Sequence, residues 1–418
     1  MKKMILVTDS FPYGNGESTF ILPELKCLSE EFDISIVSCG SSTERTTILP
    51  ADIGVYKCPK NQTSWVWGCI KSIFTPMLYR DLRHAFKTAK HPFLAAMQCI
   101  DYYGESESFA KQFKAVVSAE GKPDIIYCFW HRPALFGILR TKKAYPGVKI
   151  VARAHGYDLF AERYPTGYIP YKLECDQLLD AMFLACDAGL KYYKLHYLVS
   201  DPAKCSIAYL GVDNSRTAFW ESSDTLRLFS CSNIVPVKRI NLLIESLAAV
   251  DSSLKVKWTH VGSGKQEDYI RRLAADRLGG KKNIEYEFLG RLPNETVRDR
   301  LATVPYDYFI TVSESEGGVP ISIVEACSFG LPVIATNVGG VPEIVGEDNG
   351  ILIPEGSKPA EIAEILMRAA EMKNGDYAGM RARSQQKWRR HFIASENGKR
   401  FTRRLVDICD GKDITDIK

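Results

Sequence analysis

The stretch ITVSESEGGVPISIVEACSFGLPVIATNVGGVPEI, residues 310–344, decides how this chain is read. Residues 306–313 form a short apolar run ending in small polar side chains, the pattern of a buried parallel strand whose carboxyl end opens into a loop. Gly317 and Gly318 then let the backbone approach a ligand closely. Pro320 suits the first turn of the helix ISIVEACSF, which stops at Gly330 before Pro332. Amides of Gly318 and Val319, together with the positive end of the helix dipole, offer a seat for phosphate or sugar oxygens. Glu316 ahead of the helix and Glu325 inside it can both face that seat. A second loop, residues 337–343 (NVGGVPE), follows the strand PVIAT and predicts the same succession of strand, glycine pair and helix. Two such loops at neighbouring strand ends form one polar crevice in an open α/β sheet, where ligands bind.

The arrangement resembles the retaining glycosyltransferases of the large GT-B family, often called family 4, which includes bacterial mannosyl-, glucosyl- and galactosyltransferases. In that family the first glutamate of a Glu-x7-Glu motif holds sugar hydroxyls and the second holds the ribose; the resemblance carries these roles to Glu316 and Glu325. The two stand nine positions apart here, one more than in the motif, as if a glycine had been added. A solvated helix glutamate at 325 and a re-aimed carboxylate at 316 are the plain alternatives.

A length of 418 residues suggests two or three domains at about 150 residues each. A formal charge of +4 gives no global signal for nucleic acid, so any basic partner surface must be local. Twelve cysteines are scattered without a Cys-x2-Cys pair, several within apolar runs such as IIYCFW. That spacing predicts reduced, buried thiols in a cytoplasmic protein, with neither a disulfide framework nor a zinc site. Met4–Val7 is too short an apolar core for a signal peptide, and no run approaches the ~18 apolar residues of a membrane span.

Strand-like runs MILVTDS, DISIVSC, DIIYCFW, KIVARAHG, AMFLACD and SIAYLGVD predict a first doubly wound α/β domain over 1–213. A polar linker follows over 214–224. TLRLFSCSN, LKVKWTHVG, NIEYEFLG, YDYFITVS, PVIAT and GILIP predict a second Rossmann-like domain, the nucleotide-sugar side, over 225–393. Two such domains leave a cleft between facing strand ends. The resemblance implies that 394–418, chiefly Ala394 to Cys409, crosses back to the first domain.

In the first domain, the loop after the first strand carries Gly14 and Gly16, split by Asn15. Such a loop either presents amides to a donor diphosphate or simply connects strand to helix. His155 follows the strand KIVA, between Arg153 and Gly156-Tyr157-Asp158, and resembles the His-Gly element that the family sets against the donor sugar. Residues 57–90 hold Lys57, Lys60, Lys71, Arg80, Arg83, Lys87 and Lys90 against the single acid Asp81, interleaved with Trp65, Trp67, Ile70, Ile73 and Phe74. This is either a peripheral contact with an anionic membrane or an amphipathic helix pair packed on the sheet.

In the second domain, Lys238 stands just before a helix, placed to neutralise a diphosphate. The family has Arg and Lys five apart here, then glycine; this chain has Asn233, Lys238 and Arg239, so the bidentate guanidinium is lost at 233 and Arg239 is the residue left to replace it. Gly262-Ser263-Gly264-Lys265 is neither a dinucleotide fingerprint, since Glu267 replaces the third glycine, nor a Walker A loop. No Asp-x-Asp triplet occurs, and a metal-independent reaction is expected.

The expectation is therefore a GT-B enzyme moving a hexose from a nucleotide diphosphate sugar to a hydroxyl of a glycan or polyprenyl-linked acceptor in bacterial surface polysaccharide synthesis. His155, Lys238 and Glu316 are the expected catalytic residues. Gly14, Gly16, Asn233, Arg239, Gly317, Gly318, Val319 and Glu325 are the expected donor contacts. An NDP-sugar epimerase or hydrolase on the same fold, or a non-catalytic nucleotide-sugar-binding subunit, are the alternatives.

Overall fold

A computed structural model describes residues 1–412 except Asn15 and Asn374; residues 413–418 of the expected returning segment lie outside the described residues. The chain divides into two units, one made of Met1–Leu210 with the segment from Ala394 onward, the other of Gly211–Ile393.

The first unit is built on strands β1 (Lys2–Thr8), β2 (Phe32–Ser38), β3 (Gly54–Lys57), β4 (Ile125–Cys128), β5 (Lys149–Ala154), β6 (Ala181–Leu184) and β7 (Cys205–Ile207). They form one sheet in the order β3-β2-β1-β4-β5-β6-β7, each neighbouring pair parallel. The central strands are apolar on both faces, which parallel sheets require because helices cover both. Those helices are α1 (Ser18–Leu28), α2 (Gln62–Ser72), α3 (Pro76–Thr88), α4 (Pro92–Glu120), α5 (Pro133–Arg140), α6 (Lys172–Leu178) and α7 (Asp187–His196). Strand β3 was not expected from sequence: its GVYK is only half-buried at the sheet edge, so it carries no apolar run. The predicted last strand over SIAYLGVD shrinks to the three residues of β7.

Residues 57–90 hold two helices, α2 and α3, the pair expected from sequence, and α4 follows them. α2 crosses α4 where two glycines meet: a Cβ on Gly68 would lie 2.8 Å from the Gly104 Cα. Asp81 of α3 turns inward and accepts hydrogen bonds from the Tyr168 hydroxyl at 2.5 Å and the Tyr171 amide at 3.1 Å. Burial pushes this carboxyl up to about 7.

The second unit holds β8 (Thr225–Cys231), β9 (Lys255–Val261), β10 (Ile284–Phe288), β11 (Tyr308–Thr311), β12 (Val333–Thr336) and β13 (Gly350–Ile353), ordered β10-β9-β8-β11-β12-β13 and again parallel. Its helices are α8 (Ile240–Ala249), α9 (Glu267–Leu278), α10 (Asn294–Thr303), α11 (Ile321–Ser328), α12 (Pro359–Met372) and α13 (Tyr377–His391). The expected linker 214–224 is not a free connector. Ala218 and Phe219 donate their amides to Phe329 and Ala302 carbonyls, and the Trp220 indole donates to buried Asp307 at 2.8 Å, so this segment packs along the second unit. The unit's entry and exit are tied together, with the Val212 amide 3.0 Å from the Phe392 carbonyl.

Helix α14 (Ala394–Cys409) belongs to the first unit. Phe401 packs on Tyr127 and Phe183, and the buried Arg153 guanidinium lies 4.2 Å from the Phe401 ring centre while pairing with Glu24 at 2.5 Å.

Candidate active site

In each sheet the strand order reverses once, between β1 and β4 and between β8 and β11. Loops leaving the carboxyl ends on either side of such a point diverge and open a binding crevice. In the second unit those loops carry Lys238 and Glu316. After β8 the chain makes a short 3-10 turn, Pro236–Lys238, with the Lys238 amide on the Val235 carbonyl. After β11 the Glu314 amide donates to the Val237 carbonyl at 2.8 Å, locking the two loops side by side. The Lys238 ammonium then meets the Glu316 carboxylate at 2.5 Å. One cation and one carboxylate thus share a partly buried crevice, the pairing needed to hold a phosphate beside a polyhydroxylated ring.

Arg239 lies against the end of β11. It occupies the left-handed region (φ 47°) where the family's pattern has glycine, and its guanidinium donates to the Val312 and Ser313 carbonyls at 2.8 and 3.2 Å. It therefore braces the end of β11. Asn233 is exposed on the β8 loop, its carbonyl accepting the Val235 amide.

Glycine sets how closely the loops stack. A Cβ on Gly339 (φ 55°) would lie 2.1 Å from the Glu316 carbonyl oxygen, and one on Gly340 would lie 2.7 Å from the Val319 nitrogen. The second glycine loop is thus a backbone shelf under residues 316–319, including Gly317 and Gly318. It ends in a three-residue 3-10 turn, Val341–Glu343, where an α-helix was expected. Gly262 and Gly264 act in the same way: a Cβ there would strike the Ser232 and Ile234 carbonyls, so this pair serves packing of the β8 loop.

Glu325 lies on α11, nearly buried, with one carboxylate oxygen lacking a hydrogen-bond partner. Burial raises its carboxyl to about 7, with Arg298 opposing and Glu295 reinforcing the shift. A buried oxygen without a donor is a natural acceptor for a ligand hydroxyl.

In the first unit, the first amides of the β1–α1 loop turn inward. Glu17 gathers them: its carboxylate accepts from the amides of Asp9, Ser10 and Phe11, the Ser10 hydroxyl and the Trp130 indole. The amides of Gly14 and Gly16 are not among those Glu17 gathers. Gly14 (φ 78°) and Gly16 face open space, and Thr46 donates to the Gly14 carbonyl.

Trp130 in turn stands 4.6 Å, ring centre to ring centre, from His155, which also packs on Phe129 at 4.7 Å. The His155 amide donates to Asp158 at 2.7 Å, and both ring nitrogens lack protein partners. Burial lowers its pKa to about 4, with Asp158 opposing, so the imidazole is neutral near pH 7. Asp9, Lys60, Glu105, Trp130 and Arg132 line a hollow beside the end of β1. The Arg132 guanidinium pairs with Asp9 at 2.7 Å. Glu17, Trp130 and Arg132 escaped sequence reading; the position of Trp130-His131-Arg132 just past the strand IIYC was the available signal.

Comparison with known proteins identifies one domain and the fold. Residues 213–389 match the family described as Glycosyl transferases group 1, so the second unit carries a domain of that family. That domain sits within a fold of the GT-B type, two parallel-sheet units of Rossmann-like topology. The chain is 34% identical over 157 residues to the GDP-mannose-dependent monoacylated alpha-(1-6)-phosphatidylinositol monomannoside mannosyltransferase of Corynebacterium glutamicum, spanning 35% of this chain and 38% of that one. It is 25% identical over 291 residues to the amylovoran biosynthesis glycosyltransferase AmsK of Erwinia amylovora, covering 65% of this chain and 68% of the relative. Anabaena Alr3699/HepE, solved in complex with UDP, shares the fold at a TM-score of 0.68 and 16% identity, covering 97% of this chain and 100% of that one.

Proposed function

We propose that this chain is a retaining hexosyltransferase that takes its sugar from a nucleotide diphosphate donor without a metal ion and passes it to a hydroxyl of a glycan or polyprenyl-linked acceptor in surface polysaccharide synthesis. The single observation that carries this reading is the Lys238–Glu316 pair at the switch point of the second sheet. Breaking the glycosidic bond leaves negative charge on the β-phosphate and positive character at the anomeric carbon. Lys238 and the amides of Gly318 and Val319 meet the first, and Glu316 holds the sugar hydroxyls. Glu325 fixes the ribose through its unpartnered oxygen. His155, neutral and held by Trp130 and Asp158, keeps the sugar-facing role that the resemblance gives it. The acceptor hydroxyl forms the new bond as the donor's anomeric carbon–oxygen bond breaks, and its proton passes to the departing phosphate oxygen. The relatives' names, a phosphatidylinositol mannoside mannosyltransferase and an amylovoran biosynthesis glycosyltransferase, support a glycan or lipid-borne acceptor.

The test is a donor screen with the isolated chain, with EDTA present, reading nucleotide release and product mass against free and lipid-linked sugars and the new anomeric configuration by NMR. Acceptor-dependent release with the donor's configuration kept is expected. Release at the same rate without acceptor identifies a hydrolase, and an inverted product overturns the retaining assignment.

A further inference from the structure

Helices α2, α3 and α4 leave an apolar face that the described residues do not cover. Ile73, Phe74, Phe86, Phe93, Leu94 and Met97 are all exposed, Phe74 at 80% and Phe93 at 77%. These side chains share one region. α2 and α4 meet at Gly68 and Gly104, and the Cys69 thiol donates to the Ile100 carbonyl at 3.6 Å, so the end of α2 lies beside the first turns of α4. Phe86 of α3 meets Phe93 of α4 edge-on at 5.5 Å. Scattered exposed apolar residues are ordinary, but a grouped set of this size marks a contact surface.

Charge selects the partner. Lys71, Arg80, Arg83, Lys87 and Lys90 are exposed around the apolar group. The only acid between residues 62 and 97, Asp81, is withdrawn onto Tyr168 and Tyr171; Lys71 pairs with Glu107 at 2.8 Å, and Arg80 lies near Glu174. A second copy docking symmetrically on this face would bring like charges together, which disfavours it. Aromatic and aliphatic side chains set among cations that outnumber the acids beside them, Asp101 and Glu107 of α4, suit the boundary between acyl chains and anionic headgroups.

We propose that the α2–α3–α4 face is a docking surface for an anionic lipid bilayer, with Phe74, Phe93 and Leu94 as the inserting side chains and Arg80, Arg83 and Lys87 as the headgroup contacts. This goes beyond donor chemistry and does not depend on it.

The experiment is flotation of the full chain with vesicles of phosphatidylcholine alone or mixed with phosphatidylglycerol, at low and high salt. The parent chain is expected to bind the mixed vesicles and to lose binding as salt rises. The triple change F74S, F93S and L94S should weaken binding to both vesicle types by on the order of tenfold or more. The change R80S, R83S and K87S should remove the preference for phosphatidylglycerol, about fivefold for each cation. Thermal melts of the variants verify that both fold. A parent chain that stays with neither vesicle, or a serine variant that floats as the parent does, overturns the proposal. Concentration-dependent self-association that the F74S, F93S, L94S variant abolishes would assign the face to a second copy and equally overturn it. Nucleotide release in solution reads separately, so loss of this proposal leaves the transferase reading standing.

Discussion

Lys238 and Glu316, 78 positions apart, meet at 2.5 Å because the strands that deliver them, β8 and β11, are parallel neighbours paired Leu228 to Tyr308 and Phe229 to Phe309. Register brings the two loops together and the switch in strand order leaves them room. Under the proposed function, a bound diphosphate would compete with Glu316 for the ammonium and free the carboxylate for sugar hydroxyls. Lys238→Ala should therefore lower kcat by about 100- to 1,000-fold, with a smaller effect on donor KM. Steady-state nucleotide release measures both. An unchanged kcat would remove Lys238 from the reaction.

Glu325 carries a pH signature. The folded carboxyl keeps its proton between about 4.5 and 7, a span in which the unfolded one has released it. Folding is therefore favoured less as pH climbs through that window, and the full penalty applies above it. Glu325→Gln should abolish this slope and stabilise the protein by about 1–3 kcal/mol at pH 8, while raising donor KM. Denaturation midpoints from pH 4.5 to 8 give the first result and donor titration gives the second.

For His155 the sign is opposite. Its folded pKa near 4 lies below the ordinary 6.5, so the unfolded chain binds the proton first and stability falls as pH drops from 6.5 towards 4. His155→Asn should flatten that limb. Because the ring stays neutral down to about pH 5, the activity profile should show no loss from its protonation above that pH; a limb near 6.5 that vanishes in the variant would contradict the burial argument.

Gly339 and Gly16 form an internal contrast. Gly339→Ala forces a Cβ to within 2.1 Å of the Glu316 carbonyl at positive φ, whereas a Cβ at Gly16 meets nothing within 4 Å. We expect Gly339→Ala to cost about 1–3 kcal/mol and to weaken donor binding, and Gly16→Ala to be near neutral in both. Calorimetric donor titration and thermal melts distinguish the two.

The buried Arg153–Glu24 pair beneath Phe401 should report on α14. Arg153→Met strands a buried carboxylate and should cost about 3–5 kcal/mol, while adding Glu24→Leu should recover much of the loss. Unfolding midpoints of the single and double variants provide the check.

Much of this was legible in the sequence for one reason: strands buried on both faces, such as β1, β8 and β11, must be written as apolar runs, and their carboxyl ends then locate the loops that matter. What escaped was decided by distance. β3 lies at a sheet edge and its half-buried GVYK has no such run. Glu17 reads as an ordinary loop glutamate until Trp130, 113 positions away, brings its indole to it. Glu267 already rules Gly262 and Gly264 out of a dinucleotide fingerprint in the sequence, but only the carbonyls of Ser232 and Ile234 beneath them show their packing role. Arg239 could not be told from a phosphate contact without knowing that β11 ends under it.

The hydrogen bond between Val212 and Phe392 makes the second unit a closed cassette, entered and left at a single stitch. A gene segment coding for such a cassette can be exchanged whole between relatives, because its new ends fall where the old ones were and no strand of either sheet is cut. Grafting in this way would replace one whole parallel sheet with a relative's and leave every strand of the other in place.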